Sequence, residues 1–301
     1  MELLLHSYVI DVKVDNKKIK QISAISCCEK IEIISAIVID ATGEGQGEIG
    51  VLQPSSLIFT VGNVNIEKFK KYIKLNPDEF KLPESHNVGR YTFDSVNSVK
   101  GYCFKGLKNL IKKTQERNDF TCPRDVFVFI TTPNKGEVTI NATRAIDIDA
   151  TNLWDITRDE TECHFQILKL IKFMKKYISG FENIYITFIA PSLGIRETRR
   201  IEGKKIPKKE VLNECKIAED TITLAPYNID IHHGNNIGTE QKSINKAFGI
   251  PYGCLLSKDI DGLIMSGRCI SVDSYIYGST RVIGTCMAIG EAADTAAGLA
   301  I

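Results

Sequence analysis

Alternation of apolar and polar residues predicts a β-hairpin near the start of the chain. Apolar residues recur at alternate positions over residues 6–14, residues 15–18 have the composition of a tight turn, and residues 19–26 continue as a second strand. Residues 31–39 form a mostly apolar run that suits one buried strand. That run ends in Asp40-Ala41-Thr42-Gly43, which predicts a turn directly after the strand.

The middle of the chain mixes strand and helix patterns. We expect strands at 51–61, 126–131, 137–141 and 184–190, and helices at 66–72, 104–114 and 158–178. The two strands on either side of Pro133-Asn134-Lys135-Gly136 are predicted to form a hairpin. Helical spacing in the longest helix predicts the following core-facing side chains: Phe165, Leu168, Ile171, Phe173 and Ile178.

The last fifty residues combine a short strand with a helix of small residues. Residues 263–266 run as a strand into Gly267-Arg268, and a loop then leads through residues 278–281 to a helix that opens near Gly284-Thr285. Unpaired N–H groups and the positive end of the dipole at such a helix start favour a phosphate or a polar cofactor edge. Small residues recur every fourth position, which leaves room for a backbone or a flat ligand: Ala288, Ala292 and Ala296.

Composition narrows the class of protein. Hydrophobic residues make up 43% and charged residues 25% of 301 residues, with a net charge of +1, which is typical of a globular protein and argues against a nucleic-acid binder. No apolar run reaches the roughly 18 residues that span a bilayer, so we expect no membrane partner. Nine cysteines without a CxxC pattern indicate reduced thiols and a cytoplasmic location.

Several ordered blocks together resemble the bacterial FAD-dependent oxidoreductases. The blocks are VIDATGEG at 38–45, GIRETRRIEG at 194–203, YNIDIH at 227–232, IPY at 250–252, and GRCIS…GSTRVIGTCMAIGEAA over 267–293. Each block is weak by itself, but five in the family's order make chance similarity improbable.

The resemblance implies an α/β fold with a Rossmann-like FAD/NAD(P)-binding domain. Residues 1–50 and 249–301 would belong to that domain, and residues 51–248 would form an inserted substrate domain of mainly antiparallel sheet with helices. The family's first strand and GxGxxG turn do not precede Met1, so we expect an N-terminally incomplete, truncated or split chain. The literal GxGxxG at 45–50 is followed by Pro54 and strand-forming residues, which disfavours a dinucleotide-binding role.

The family's cofactor, FAD, is implied together with a set of contacting residues. Arg281 has two interpretations, because it could stabilise negative charge on the flavin or could hold the preceding loop. Cys269 and Cys286 match family positions and are expected to be packing residues. The predicted cofactor-binding residues are Thr42, Gly43, Gly45, Gly267, Arg268, Ser271, Gly278, Ser279, Arg281 and Thr285.

His232, Arg199 and Arg281 are the catalytic candidates. His232 could act as a general acid or base, although a histidine bonded to a loop carbonyl is an equal alternative. Asp230, His232 and His233 lack further ligands at convincing spacing, so we expect no metal. Arg199 lies in the cluster at 196–200, which could bind a substrate carboxylate or could form a structural ion-pair cluster.

Two functions therefore remain open. The favoured one is an FAD-dependent oxidoreductase, or part of one, that transfers hydride between flavin and a small organic substrate such as a carboxylate. The alternative is a non-catalytic remnant or subunit that completes a flavin site only with a partner chain carrying the GxGxxG half.

Overall fold

The computed structural model describes residues 2–27, 29–43, 52–81, 103–232, 239–244 and 246–300. The strands are β1 Ser7–Asp15, β2 Lys18–Ser26, β3 Glu29–Ile33, β4 Val38–Asp40, β5 Phe59–Gly62, β6 Phe80–Lys81, β7 Cys103–Gly106, β8 Phe127–Thr131, β9 Val138–Asn141, β10 Tyr185–Ile189, β11 Thr221–Ala225, β12 Ile229–His232, β13 Thr239–Lys242, β14 Phe248–Pro251 and β15 Leu263–Met265. The α-helices are α1 Ile66–Leu75, α2 Lys108–Glu116, α3 Leu153–Tyr177, α4 Lys209–Glu214, α5 Ser274–Thr280 and α6 Ile283–Leu299.

The chain divides into two compact units. The first contains residues 1–50, 198–231 and 241–301, and the second contains residues 51–197 and 232–240. Residues 198–231 and 241–248, which the sequence analysis assigns to the substrate domain, thus group with the first unit. Because a compact unit is not yet a functional domain, the predicted domain functions stay predictions.

The second unit is built on an antiparallel sheet of six strands in the order β10-β5-β9-β8-β7-β6. Its core is rich in phenylalanine, with Phe69 of α1 in edge-on contact with Phe181 at 4.9 Å between ring centroids. Helix α1 begins where the side chain of Asn65 accepts a hydrogen bond from the N–H of Lys68 at 3.0 Å. The predicted hairpin is confirmed as β8 and β9.

Helix α3 forms where the sequence predicts it, and its predicted core-facing side chains are confirmed in part, since Phe173 and Ile178 are buried and Ile171 packs against the core. Phe165 and Leu168 are 57% and 54% exposed, so the prediction that they face the core is wrong. The buried positions recur at three and four residues and include two polar side chains, Asp159 and Gln166. A prediction from apolar residues alone misses part of this face, because two of its buried positions are polar.

Two other predicted elements of the second unit are corrected. Residues 104–114 contain the end of β7 and most of α2 rather than one helix, because the chain breaks at Leu107, which has a φ of 73°. The predicted strand at 51–61 is shorter, since only β5 is regular there. Before it, Ser55 and Ser56 make isolated bridges to Ala145 and Gly194.

The first unit begins with the antiparallel sheet β1-β2-β3, whose first two strands form the predicted hairpin. Asn16 and Lys17 have φ values of 49° and 62°, which match the right-handed twist of a two-residue hairpin turn. The following apolar run is not one strand but two. Strand β3 ends this sheet, and β4 instead pairs in parallel with β15, residue Ile39 opposite Ile264.

Two helices end the chain, where the sequence predicts a loop followed by one helix. Residues 274–280 form α5 because one carboxylate oxygen of Asp273 accepts the N–H of Ile276 at 2.7 Å. The other oxygen accepts the N–H of Lys209 at 2.9 Å, so the same side chain also binds the start of α4. Helix α6 packs against β4, β15 and the 3₁₀ turn Gly267–Cys269, which places its start beside the carboxyl end of β15.

Candidate functional site

The turn after β4 is held by the side chain of Asp40. One of its oxygens accepts the backbone N–H of Thr42 at 3.0 Å and the Thr42 hydroxyl at 2.7 Å. Gly43 follows with a φ of +78°, a conformation that glycine adopts without the penalty of a side chain. The N–H of Gly43 donates to the sulfur of Cys269 at 3.2 Å, and this contact joins the turn to the end of β15.

Cys269 is a structural thiol. It is fully buried, and burial raises its pKa, with the negative charge of Asp40 acting in the same direction. The thiol is therefore neutral at pH 7 and a poor nucleophile. Its contacts with Gly43 and Asp40 hold two parallel strands' carboxyl ends together.

A glycine and an arginine mark the end of β15. Gly267 has a φ of +63°, and a Cβ placed on it would meet no heavy atom within 4 Å. The guanidinium of Arg268 lies over Gly43, where a Cβ would be 2.5 Å from Nη2. Four predicted cofactor residues, Thr42, Gly43, Gly267 and Arg268, are thus brought together at the carboxyl ends of β4 and β15.

Helix α6 starts without a side-chain cap beside this edge. Val282 occupies the capping position and makes no side-chain capping hydrogen bond, so the first N–H groups of the helix lack the acceptor that a capping side chain supplies. Gly284, in the first turn, also has open space where a side chain would be. Thr285 is buried on the side that packs against the unit.

Positive charge converges on the first turn of α6. Burial raises the pKa of the Cys286 thiol, and the charges of Arg268 and Arg281 lower it, which places both guanidinium groups within electrostatic reach of this turn. The helix dipole has the same sign at this end. The region can therefore stabilise negative charge.

Arg281 also has a structural contact. Its Nη2 donates to the backbone carbonyl of Asp230 at 2.9 Å and lies 3.3 Å from the Asp230 carboxylate. Its Nε is buried and has no hydrogen-bond partner. Arg281 thus ties the end of α5 to β12 rather than to the preceding segment, and its effect on a flavin stays a prediction.

Three further predicted cofactor residues are buried within the first unit. Ser279 donates from its hydroxyl to the carbonyl of Tyr227, and a Cβ on Gly278 would meet Ile231 at 2.7 Å. The backbone N–H of Ser271 donates to the carbonyl of Cys254 at 3.0 Å. These contacts explain the small residues by packing, and their cofactor role stays a prediction. Gly45, the remaining residue of the set, lies outside the described residues.

His232 ends β12 in a buried polar cluster of the second unit. Its Nδ1 lies 3.1 Å from the hydroxyl of Thr239 and 3.4 Å from the guanidinium of Arg144. Its backbone N–H donates to the side-chain oxygen of Gln53 at 3.1 Å. Both of these ring contacts are to side chains. His233 lies outside the described residues.

The arginine cluster at 196–200 serves different contacts. Arg196 donates to the carbonyl of Pro54 at 2.6 Å, and Arg200 lies over the ring of Tyr277 at 4.9 Å. Arg199 belongs to the first unit and has a buried Nε without a hydrogen-bond partner, as a ligand-facing group could have. The catalytic candidates are divided between units, with His232 in the second and Arg199 and Arg281 in the first.

The geometry of the first unit fits the flavin that the resemblance implies. A flat ring needs backbone without side chains, and Gly267 and Gly284 leave such open space. Its polar pyrimidine edge needs hydrogen-bond donors and positive charge, which the uncapped start of α6 and Arg268 supply. Among the described residues, no group of three or more histidine, cysteine or acidic side chains is placed to hold a metal ion.

Arg144 and Gln53 are the site residues that sequence reasoning missed. Both are buried, at 1% and 3% exposure, although their residue types are seldom fully buried without a partner. The one local signal is that Arg144 closely follows the apolar strand β9. Its contact with His232, 88 residues away, depends on the tertiary fold.

Comparison with known proteins identifies the family of this chain. Residues 1–301 match the family model described as FAD dependent oxidoreductase. Among solved structures, the chain is similar to a triple mutant of the flavin-dependent brominase Bmp2, with a TM-score of 0.38 and 11% identity over 96% of this chain and 49% of that chain. The chain thus spans about half the length of that protein. No curated protein matches it. No helix among the described residues is long and apolar enough to cross a membrane. The chain belongs to the FAD dependent oxidoreductase family, and its cofactor is FAD.

Proposed function

We propose that the chain carries out, or forms part of an enzyme that carries out, hydride transfer between a small organic substrate and flavin. The observation that carries this proposal is the uncapped start of α6 at Gly284, beside the open glycine Gly267 and the charge of Arg268. FAD, when bound, supplies the hydride acceptor or donor. The protein's own groups bind the ring, orient it and stabilise its charge.

The start of α6 is the proposed binding position for the pyrimidine edge. Its N–H groups and Arg268 would donate hydrogen bonds to that edge and favour negative charge on it. Gly43 and Gly267 would let backbone approach the ring closely. The positive charge there also supports the proposal that Arg281 contributes to the field, although Asp230 offsets part of its charge.

His232 and Arg199 are proposed to act on the substrate. An imidazole titrates near neutrality and can move a proton as hydride leaves or arrives. Arg199, with its unpartnered buried Nε, would bind a carboxylate, the chemical group that matches a guanidinium best. A small organic acid is therefore the proposed substrate class.

The test is the flavin content of the purified chain. We expect flavin absorption bands in the protein as isolated, or after incubation with FAD and removal of unbound cofactor by gel filtration. Anaerobic addition of a hydride-donating organic acid should then bleach the flavin band. Protein that stays colourless after incubation with FAD would contradict the proposal for this chain alone.

A second candidate is a subunit that completes the flavin site with a partner chain carrying a GxGxxG unit. The feature that favours it is β1, where apolar side chains are exposed on both faces of a sheet. They are Tyr8, Val9, Ile10, Val12 and Val14, at 43–74% exposure. This candidate predicts colourless protein alone and flavin binding only when the partner is co-expressed.

A cytoplasmic location is also proposed. All eight cysteines among the described residues are free, which suits a reducing compartment. Counting the reactive thiols after denaturation without reductant tests this, because disulfides formed in an oxidising compartment would lower the count.

A further inference from the structure

The imidazole of His232 is held by donors on one nitrogen. Arg144 approaches Nδ1 with Nη1 at 3.4 Å, and the Thr239 hydroxyl lies 3.1 Å from the same atom. The ring is nearly buried, at 9% exposure. Gln53 fixes the backbone at this point by accepting the His232 N–H.

The chemistry of these groups decides which nitrogen carries the proton. A guanidinium has five N–H donors and no acceptor, so Nδ1 must be the acceptor in its contact with Arg144. The Thr239 hydroxyl can donate or accept, and an unprotonated Nδ1 requires it to donate. In a neutral imidazole the proton then lies on Nε2.

Arg144 is placed firmly enough to impose this choice. Gln166 of α3 accepts the N–H of Arg144 at 2.9 Å and donates to its carbonyl at 3.0 Å, so the backbone is held on both sides. Burial lowers the pKa of Arg144, while the Asp125 carboxylate raises it. A guanidinium titrates so far above neutrality that the group stays charged at pH 7.

We propose that Arg144 is a positioning residue that, together with Thr239, holds His232 as the neutral tautomer protonated on Nε2. Its catalytic meaning rests on the proposed function. This limits the acid–base role proposed above, because Nδ1 would not be available as a base and His232 would act as a hydrogen-bond donor through the Nε2–H. Protonation of Nδ1 would place a second cation 3.4 Å from Arg144, which opposes it.

Three acidic residues are close to members of this cluster, in space or along the chain. Asp125 acts on Arg144. Asp230 is two positions before His232 on β12, and Glu240 follows Thr239 on β13. The test therefore includes a substitution of Glu240, the acid next to Thr239.

The experiment is a long-range ¹H–¹⁵N correlation spectrum of the uniformly ¹⁵N-labelled full chain at pH 7 and pH 6. The chain has five histidines, and His232→Gln identifies the signal by its loss. We expect the pattern of a neutral ring protonated on Nε2 at both pH values. Arg144→Lys keeps a cationic donor and should keep the pattern, as should Glu240→Gln. Arg144→Met should shift Nδ1 towards its protonated position at pH 6.

Three results would overturn the proposal. They are a wild-type ring protonated on Nδ1, a wild-type imidazolium at pH 7, and an Arg144→Met spectrum identical to wild type. If Arg144→Met does not fold, Thr239→Val decides the donor role of the hydroxyl, and the wild-type spectrum still decides the tautomer. None of these readouts uses flavin, so failure here is distinct from failure of the proposed function.

Discussion

The guanidinium of Arg268 lies over Gly43 so closely that a Cβ there would be 2.5 Å from Nη2. Gly43 also has a φ of +78°, a backbone conformation that residues with a side chain rarely adopt. Gly43→Ala should therefore destabilise the protein by about 1–2 kcal/mol from backbone strain, with a further cost for displacing Arg268. Urea denaturation measures the total.

The Arg268→Ala background separates these two contributions. There, Gly43→Ala should cost only the backbone strain, because the colliding group is gone. An equal cost in both backgrounds would show that Arg268 does not lie over Gly43.

Three buried thiols should make stability fall at alkaline pH. Burial raises the pKa of Cys122 and Cys254 to about 12 and that of Cys163 to about 11. In the unfolded chain such thiols have a pKa of about 8.5, so between that pH and about pH 11 the folded state binds more protons than the unfolded state. Each thiol therefore contributes fully to the free energy of unfolding at pH values below its pKa in the unfolded chain. As the pH rises above that value, this contribution falls by up to about 1.4 kcal/mol per pH unit for each thiol.

Chemical denaturation between pH 8 and 10.5 measures this slope. Cys163→Ala should make the slope shallower by one proton, whereas the same change at exposed Cys27 should leave it unchanged. Identical slopes in wild type and Cys163→Ala would contradict burial of that thiol.

The pair Arg281–Asp230 allows structural and catalytic effects to be distinguished. Both side chains are mostly buried, at 13% and 17% exposure, so Arg281→Ala should destabilise by about 1–3 kcal/mol. If Arg281 also acts on the flavin, its loss should slow flavin reduction more than it weakens FAD binding. Asp230→Asn keeps the cation and is the control. Equal losses of rate and binding in Arg281→Ala would indicate a purely structural arginine.

Asp273 should contribute to two helices at once. Its oxygens separately accept the first-turn N–H groups of α4, at Lys209, and α5, at Ile276. Asp273→Ala should cost about 1–3 kcal/mol, and Asp273→Asn, which keeps a single acceptor oxygen, should lose part of that. Exposed Ser274→Ala is the matched control, and thermal unfolding is the readout. A cost for Asp273→Ala no greater than that of the control would contradict the double cap.

Local sequence patterns predicted much of the secondary structure. The β1–β2 hairpin, α1, the β8–β9 hairpin and α3 form where alternation or helical spacing indicates them. The patterns failed where contacts between residues far apart in the sequence determine how a strand pairs or which face of a helix is buried. The apolar run at 31–39 splits because β3 and β4 belong to different sheets, and the buried face of α3 includes polar Gln166 because that side chain binds Arg144.

The candidate site was predictable to a different extent in each unit. In the first unit, Thr42, Gly43, Gly267 and Arg268 are recognisable because glycines and charges follow strands, and the structure places them together. In the second unit, His232 is recognisable as a titratable group, but Arg144 is not. A buried arginine has no local pattern, and its partner is set by how β9 and β12 fold.

The most direct test is FAD binding by a pair of leucine variants of α6. Gly284 in the first turn and Gly298 in the last turn both have no heavy atom within 4 Å of an added Cβ. Leucine is also a better helix former than glycine by about 1 kcal/mol, so neither change should unfold the helix. We predict that wild type and Gly298→Leu bind FAD equally in a fluorescence titration, and that Gly284→Leu binds at least about tenfold more weakly, a loss of about 1.4 kcal/mol. Equal affinity of Gly284→Leu and Gly298→Leu would contradict the placement of the flavin at the start of α6, and no FAD binding by the wild-type chain would contradict the proposal that this chain binds flavin by itself.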